Sequence, residues 1–264
     1  MKIIYHPDFI GSYCSDPAAS EGRVEAILDV IQDRFDVMKP SPASREDIAA
    51  CHSDYHIEHI RHLGLYDIAA LAAGGAILAA ETGLTEPAFG LIRPPGHHAS
   101  FSSAWGFCFF SNMAIAISKL KREGKIGKAF VLDIDLHFGD GTMNILGSTG
   151  YVNILNPTAH DRAGYLREVE GALPEDADII GISAGFDHHE ADWGGLLTTS
   201  DYREIGRLVR EKSRKAGGGC FAILEGGTTI GCWVTMSWPC WRGSTAEAIR
   251  PPREILPGTS RNRG

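Results

Sequence analysis

What the chain lacks narrows the reading first. Its six cysteines, Cys14, Cys51, Cys108, Cys220, Cys232 and Cys240, include no Cys-x-x-Cys spacing, so neither a cysteine zinc site nor a disulfide framework is expected. No signal peptide precedes them, which points to a reducing, cytoplasmic compartment. No apolar stretch approaches the ~18 residues that span a membrane. The Ala-rich run over 68–80, interrupted by Gly74-Gly75, reads as a buried helix. Positive charge is also short: 25 Lys and Arg against 33 Asp and Glu give a net charge of -8. That balance argues against a nucleic-acid surface, mildly favours cationic partners and serves solubility. There is no internal repeat, no low-complexity tract and no linker.

What is present suits one sizeable core, for 44% of the 264 residues are hydrophobic. Helical periodicity runs from Arg23 to Arg34, Asp67 to Glu81, Asn112 to Arg122 with Asn112 as its cap, and Tyr202 to Lys215. Short strands are expected over Met1–Tyr5 and near Leu91, Val131, Val152, Ile180 and Ala222. This alternation predicts a three-layer α/β fold with a mostly parallel central sheet.

The segment Val131–Asp140 carries the strongest chemical signal. Asp133, Asp135 and His137 stand at alternate positions leaving an apolar strand, so they share a face. Buried polar groups need a hydrogen bond or an ion. Two carboxylates and an imidazole, with no cysteine, suit zinc or another divalent first-row ion and leave a position open for water. The plainer alternative is a strand end whose acids cap the following turn. Two more strands end on polar clusters: Phe89–Ile92 leads into Arg93-Pro-Pro-Gly-His-His98, and Ile179–Phe186 leads to Asp187. In a parallel α/β sheet, ligands collect at the carboxyl ends of strands, where all three segments finish.

Together, Arg93-Pro-Pro-Gly-His-His-Ala99, Trp105-Gly-Phe-Cys-Phe109, Asp133-Ile-Asp-Leu-His137 with Gly139-Asp-Gly141, Ser183–Asp187 and Leu224-Glu-Gly-Gly227 resemble the histone deacetylase superfamily. The Pro-Pro-Gly-His-His form is similar to its class II and acetylpolyamine amidohydrolase branches. The resemblance implies an arginase/deacetylase-like fold over residues 1–227 and hydrolysis of N-acetyl amides, of the acetyl-lysine or acetylpolyamine type, to free amine and acetate. It implies zinc, with iron or cobalt as alternatives, on Asp135, His137 and Asp187, and a structural monovalent cation. His97 and His98 become general base and acid, oriented by Asp133 and Asp140, with His98 carrying most of the proton transfer. Gly106, Phe107 and Gly227 fall to the substrate tunnel, and Arg23 to the product exit. Arginase-like ureohydrolases, with two manganese ions and more aspartates, match less well. His188 and His189 are expected in a solvated loop, not as ligands. No oligomeric state is implied.

The chain departs from the family in four places. The stretch from His52 to Ala69 is compressed, so the loop gripping the substrate at the rim is missing and a wider mouth is expected. Phe138 replaces a second histidine that is not a ligand. The Asp192–Leu197 stretch is short. Most of all, Thr228 stands where relatives carry an oxyanion-binding tyrosine, followed by an unpatterned tail with Cys232, Trp233, Trp238, Cys240 and Trp241. One T added before the Thr228 codon, ACN, gives TAC, tyrosine. The same shift forces leucine at Trp233 and Trp241, glycine at Val234 and alanine at Pro239, and leaves only Leu, Met or Val at Cys232, Trp238 and Cys240. Residues 228–264 therefore read as a frameshifted tail. Two functions stay open: a zinc-dependent deacetylase impaired in this chain, or a zinc-containing acyl-amine-binding protein with little turnover.

Overall fold

The structure, a computed structural model, describes residues 1–13, 19, 21–31 and 33–227. Among them the strands β1 (Lys2–Ile4), β2 (Asp36–Met38), β3 (Ala88–Gly90), β4 (Ala129–Asp133), β5 (Val152–Leu155), β6 (Ile179–Ala184) and β7 (Gly219–Leu224) form one sheet. Its order is β2-β1-β3-β7-β6-β4-β5. Every pairing is parallel. All carboxyl ends therefore share one edge. β4, β6 and β7 are buried at every position, as a parallel sheet covered on both faces requires of its central strands.

The described α-helices are α1 (Arg23–Ile31), α2 (Arg45–Ala49), α3 (Asp54–His62), α4 (Tyr66–Gly83), α5 (Asn112–Arg122), α6 (Asp140–Leu146), α7 (Arg162–Ala172) and α8 (Thr199–Lys215). α4 lies along β1, β3 and β7 with α5 beside it, while α8 packs on β6 and β7 with α7 at its flank. The result is the expected three-layer α/β/α arrangement. The Ala-rich segment is the buried α4, and its glycine pair explains how closely it packs. A Cβ on Gly74 would overlap the Ser41 carbonyl oxygen and stand 2.8 Å from the Ala43 nitrogen. A Cβ on Gly75 would come within 2.6 Å of Ile92 Cγ2. No described helix is long and apolar enough to cross a membrane.

One helix start differs from expectation. Ser111, not Asn112, is the N-cap of α5, and Asn112 is its first helical residue. The Asn112 amide is instead spent on the buried loop after β3, where its Nδ2 donates to the Pro94 carbonyl at 3.0 Å. The expectations about Thr228, Cys232, Trp233, Trp238, Cys240 and Trp241 lie outside the described residues, as does any helix beyond Gly227.

Candidate active site

The sheet order places the loops after β3, β7, β6 and β4 shoulder to shoulder. From β3 the chain enters Arg93–His98, a segment held by backbone as much as by side chains. A Cβ on Gly96 would sit 2.6 Å from the Asn112 nitrogen, so only glycine allows the loop to lie against the start of α5. From β7 comes Glu225, whose Oε2 accepts from the amides of Gly96 (2.8 Å) and His97 (3.2 Å). Burial pushes its carboxyl up to about 7. Sequence reasoning gave Glu225 no role. The signal was there, in an acid leaving a fully apolar strand.

Each histidine of the pair has its own carboxylate. His97 Nδ1 lies 3.2 Å from Asp133 Oδ2, and His98 Nδ1 lies 2.7 Å from Asp140 Oδ1. With Nδ1–H donated, Nε2 is the basic atom of each ring. The rings lie 3.9 Å apart, centroid to centroid. Burial disfavours charge on His97, but the carboxylates of Asp135, Asp133 and Glu225 outweigh it and hold the ring well above the usual imidazole value. Burial, then the charge of His97, pushes His98 down to about 4.

β4 ends at Asp133, so Asp135 and His137 stand on the loop beyond it. Their side chains curl back on that loop. Asp133 Oδ1 accepts from the Asp135 amide at 3.2 Å, and Asp135 Oδ1 from the His137 amide at 2.9 Å. The turn-capping alternative is thus real, and it coexists with convergence on a point. His137 Nδ1 lies 3.3 Å from Asp135 Oδ1 and 3.1 Å from Asp187 Oδ2, and all three residues offer donor atoms within 4.8 Å of one another. Hydrogen bonds from the two carboxylates raise His137 to about 10, and burial raises Asp187 to about 6. A second group with ligand chemistry, His97, Cys108 and Glu225, is also within 4.8 Å. There, His97 Nδ1 and Glu225 Oε2 are already spent on Asp133 and on backbone amides.

A cavity of about 130 Å³ opens on these groups, lined by His97, His98, Asp135, His137 and Asp187 together with Gly106, Phe107, Cys108 and Gly227. Trp105 and Trp193 line it as well, and both are exposed. Residues 52–69 contribute nothing to the lining. Arg23 is buried at the start of α1. The expectation for His188 and His189 needs correction. His189 is buried, its Nδ1 accepting from the Ala191 amide at 3.1 Å and its Nε2 lying 3.1 Å from Thr199 Oγ1. His188 is half-buried against the Tyr165 ring. The cause is the loop's own folding, in which the His188 carbonyl accepts from Leu196 and Leu197 and the Asp187 carbonyl from Gly194. That folding also steadies Asp187.

Known proteins share this frame. The family model described as the histone deacetylase domain matches residues 62–165. A probable deacetylase of Archaeoglobus fulgidus is 30% identical over an alignment covering 93% of this chain and 83% of that protein. The chain belongs to the histone deacetylase superfamily. Another superfamily relative, a histone deacetylase-like amidohydrolase of Pseudomonas aeruginosa, is 34% identical over 52% of this chain and 43% of its own length. The crystal structure of the HDA15 HD domain superposes with a TM-score of 0.78 over 90% of this chain and 87% of that one, at 19% identity, a likeness of fold. The alignment with the Archaeoglobus protein runs over 311 positions, more than the 264 residues here, so this superfamily member carries deletions relative to it.

Proposed function

We propose that this chain removes the acetyl group from an acetylated amine, a lysine side chain or a small polyamine, by metal-dependent amide hydrolysis. The observation that carries the reading is the convergence of Asp135, His137 and Asp187 beside two carboxylate-backed histidines. The donor set fits a divalent cation: two buried carboxylates and an imidazole within one ion's reach, His137 Nδ1 already facing both carboxylates. Asp135, His137 and Asp187 would bind it, and oxygen and nitrogen donors favour zinc, with iron or cobalt exchangeable. Such a cation supplies Lewis-acid chemistry, polarising the acyl carbonyl and acidifying water.

The chain's own residues do the rest. His98, its Nδ1 committed to Asp140, keeps Nε2 free to take a proton from water and pass it to the departing amine. His97, backed by Asp133, shares this acid-base work and stands nearer the ligands, its Nε2 3.8 Å from Asp135 Oδ1. Phe107 and Gly227 wall the cavity along the substrate chain, with the Gly106 carbonyl beside the amide. A structural monovalent cation and a reducing, cytoplasmic setting belong to the same reading. The free thiols of Cys51, Cys108 and Cys220 support the latter.

Metal analysis of the purified chain tests the assignment. Near-stoichiometric zinc, or exchangeable iron or cobalt, is expected, and metal retained after Asp135→Ala together with Asp187→Ala would sink it. A second reading, a zinc-containing acyl-amine-binding protein with little turnover, is favoured by Thr228 in the place of the tyrosine. Resequencing the gene across the Glu225 to Ser237 codons, with a deacetylase assay of this exact chain, separates the two.

A further inference from the structure

Trp105 has no part in the chemistry above, yet on the rim it is held both by its ring and by its N–H. Its ring lies against His98, with centroids 3.5 Å apart and planes inclined by 25°. Its Nε1–H donates to both oxygens of Asp140, at 3.2 Å and 3.0 Å. Oδ1 of that carboxylate also pairs with His98 Nδ1. The backbone beyond it turns through two left-handed residues, Gly106 (φ 58°) and Phe107 (φ 50°), a conformation that a bulky residue holds only where its surroundings demand it. A Cβ on Gly106 would stand 2.9 Å from His98 Cδ2. His98 is thus enclosed by Trp105 on one face, His97 on the other, Asp140 at Nδ1 and Gly106 at Cδ2.

The two carboxylates of the pair differ in a way that gives the indole work to do. The side chain of Asp133 is 1% exposed, and burial alone keeps water from competing for His97. The side chain of Asp140 is 43% exposed, and exposed ion pairs are loosened by solvent. We propose that Trp105 is a positioning residue that does for His98 what burial does for His97. Its ring fixes the imidazole plane, and its N–H anchors the Asp140 carboxylate so that Nδ1 stays engaged and Nε2 stays aimed into the cavity. The clamp stands on geometry alone, and its effect on turnover rests on the reading of His98 given above.

Two measurements test it. In this chain with ¹⁵N-labelled indoles, the Trp105 N–H resonance is identified by its loss in Trp105→Phe. It should shift upfield in Asp140→Asn, because a neutral amide is a weaker acceptor than a carboxylate. An unmoved resonance overturns the clamp. In a frame-restored chain, Trp105→Phe keeps the stack and deletes the donor, so kcat should fall about tenfold with KM unchanged. In an Asp140→Asn background the same substitution should cost nothing further. A raised KM at unchanged kcat, which would make Trp105 a substrate contact, overturns the proposal, and so do additive losses in the double variant. If the frame-restored parent hydrolyses no acetyl amide, the functional reading fails while the resonance test still decides the clamp.

Discussion

His52 is tied at both ring nitrogens. Nδ1 meets the Ser100 carbonyl at 2.9 Å, and Nε2 accepts from the Ser111 amide at 2.9 Å. These anchors bracket the loop that carries Trp105, Gly106 and Phe107, and they need a neutral ring, one nitrogen donating and the other accepting. Burial, then the charge of His56, pushes His52 down to about 3. Below its unfolded value near 6.5 the unfolded chain takes up a proton that the folded chain refuses. The contribution is therefore complete above that pH and is lost as pH falls toward 3. Between pH 6.5 and 5 this one group should remove about 2 kcal/mol of stability. Thermal midpoints across that range should fall in the parent and fall less in His52→Gln, which starts lower at pH 7.5. At the same scale, His98→Ala in a frame-restored chain should lower kcat by about 10²–10⁴-fold with metal retained. Unchanged turnover on an acetyl-lysine or acetylpolyamine substrate would count against the role of His98.

Helix glycines separate packing from propensity at the scale of the element. Gly74 in α4 faces the backbone of residues 41–43, whereas Gly171 in α7 has nothing within 4 Å of a built Cβ. Alanine is the better residue by about 0.5–1 kcal/mol in a helix interior and by less in the last turn, where Gly171 stands. Gly171→Ala should therefore raise the thermal midpoint. Gly74→Ala should lower it, because overpacking against backbone costs about 1–3 kcal/mol. A calorimetric comparison in which both variants gained stability would contradict the contact between α4 and the 41–43 segment. α5 shows the same tension between local rule and neighbour, since its first asparagine serves the Pro94 carbonyl instead of capping the helix.

For the whole molecule, the open matter is the chain after Gly227. The alignment with the Archaeoglobus protein covers 93% of this chain and so runs past Gly227. A natural divergent tail is therefore the rival that an experiment must separate from a one-base shift. We propose the shift, because a single T restores tyrosine directly after the Gly-Gly pair and an apolar segment beyond it. On that reading the tyrosine's oxyanion donor is lost and the short hydroxyl of Thr228 would not replace it, a loss expected to cost about 10²–10³ in kcat. Reinserting the base should raise both deacetylase turnover and thermal midpoint, while Thr228→Tyr alone should recover neither fully. Equal activity and stability in the present and frame-restored chains would make the tail a genuine adaptation.

Much of the frame was legible in the residues themselves. Continuous apolar runs marked β4, β6 and β7, and the 3.6-residue period marked α5 and most of α4 and α8, because burial writes those patterns directly. The polar residues ending three strands marked a candidate site, since buried polar groups are costly when left unpaired. The short β2 and the helices α2, α3, α6 and α7 were not read, their segments being too brief or too evenly polar for periodicity to speak. Only the tertiary structure decided how residues far apart in sequence are used. The sheet order sets β3, β7, β6 and β4 side by side, which brings His97, Glu225, Asp187 and Asp135 to one edge. The clamp of Glu225 on the Gly96 and His97 amides spans 129 and 128 positions, and that of Trp105 on Asp140 spans 35. Periodicity reports the face a side chain turns toward the core, a local property of backbone geometry. Which partner waits there is settled by how the layers stack.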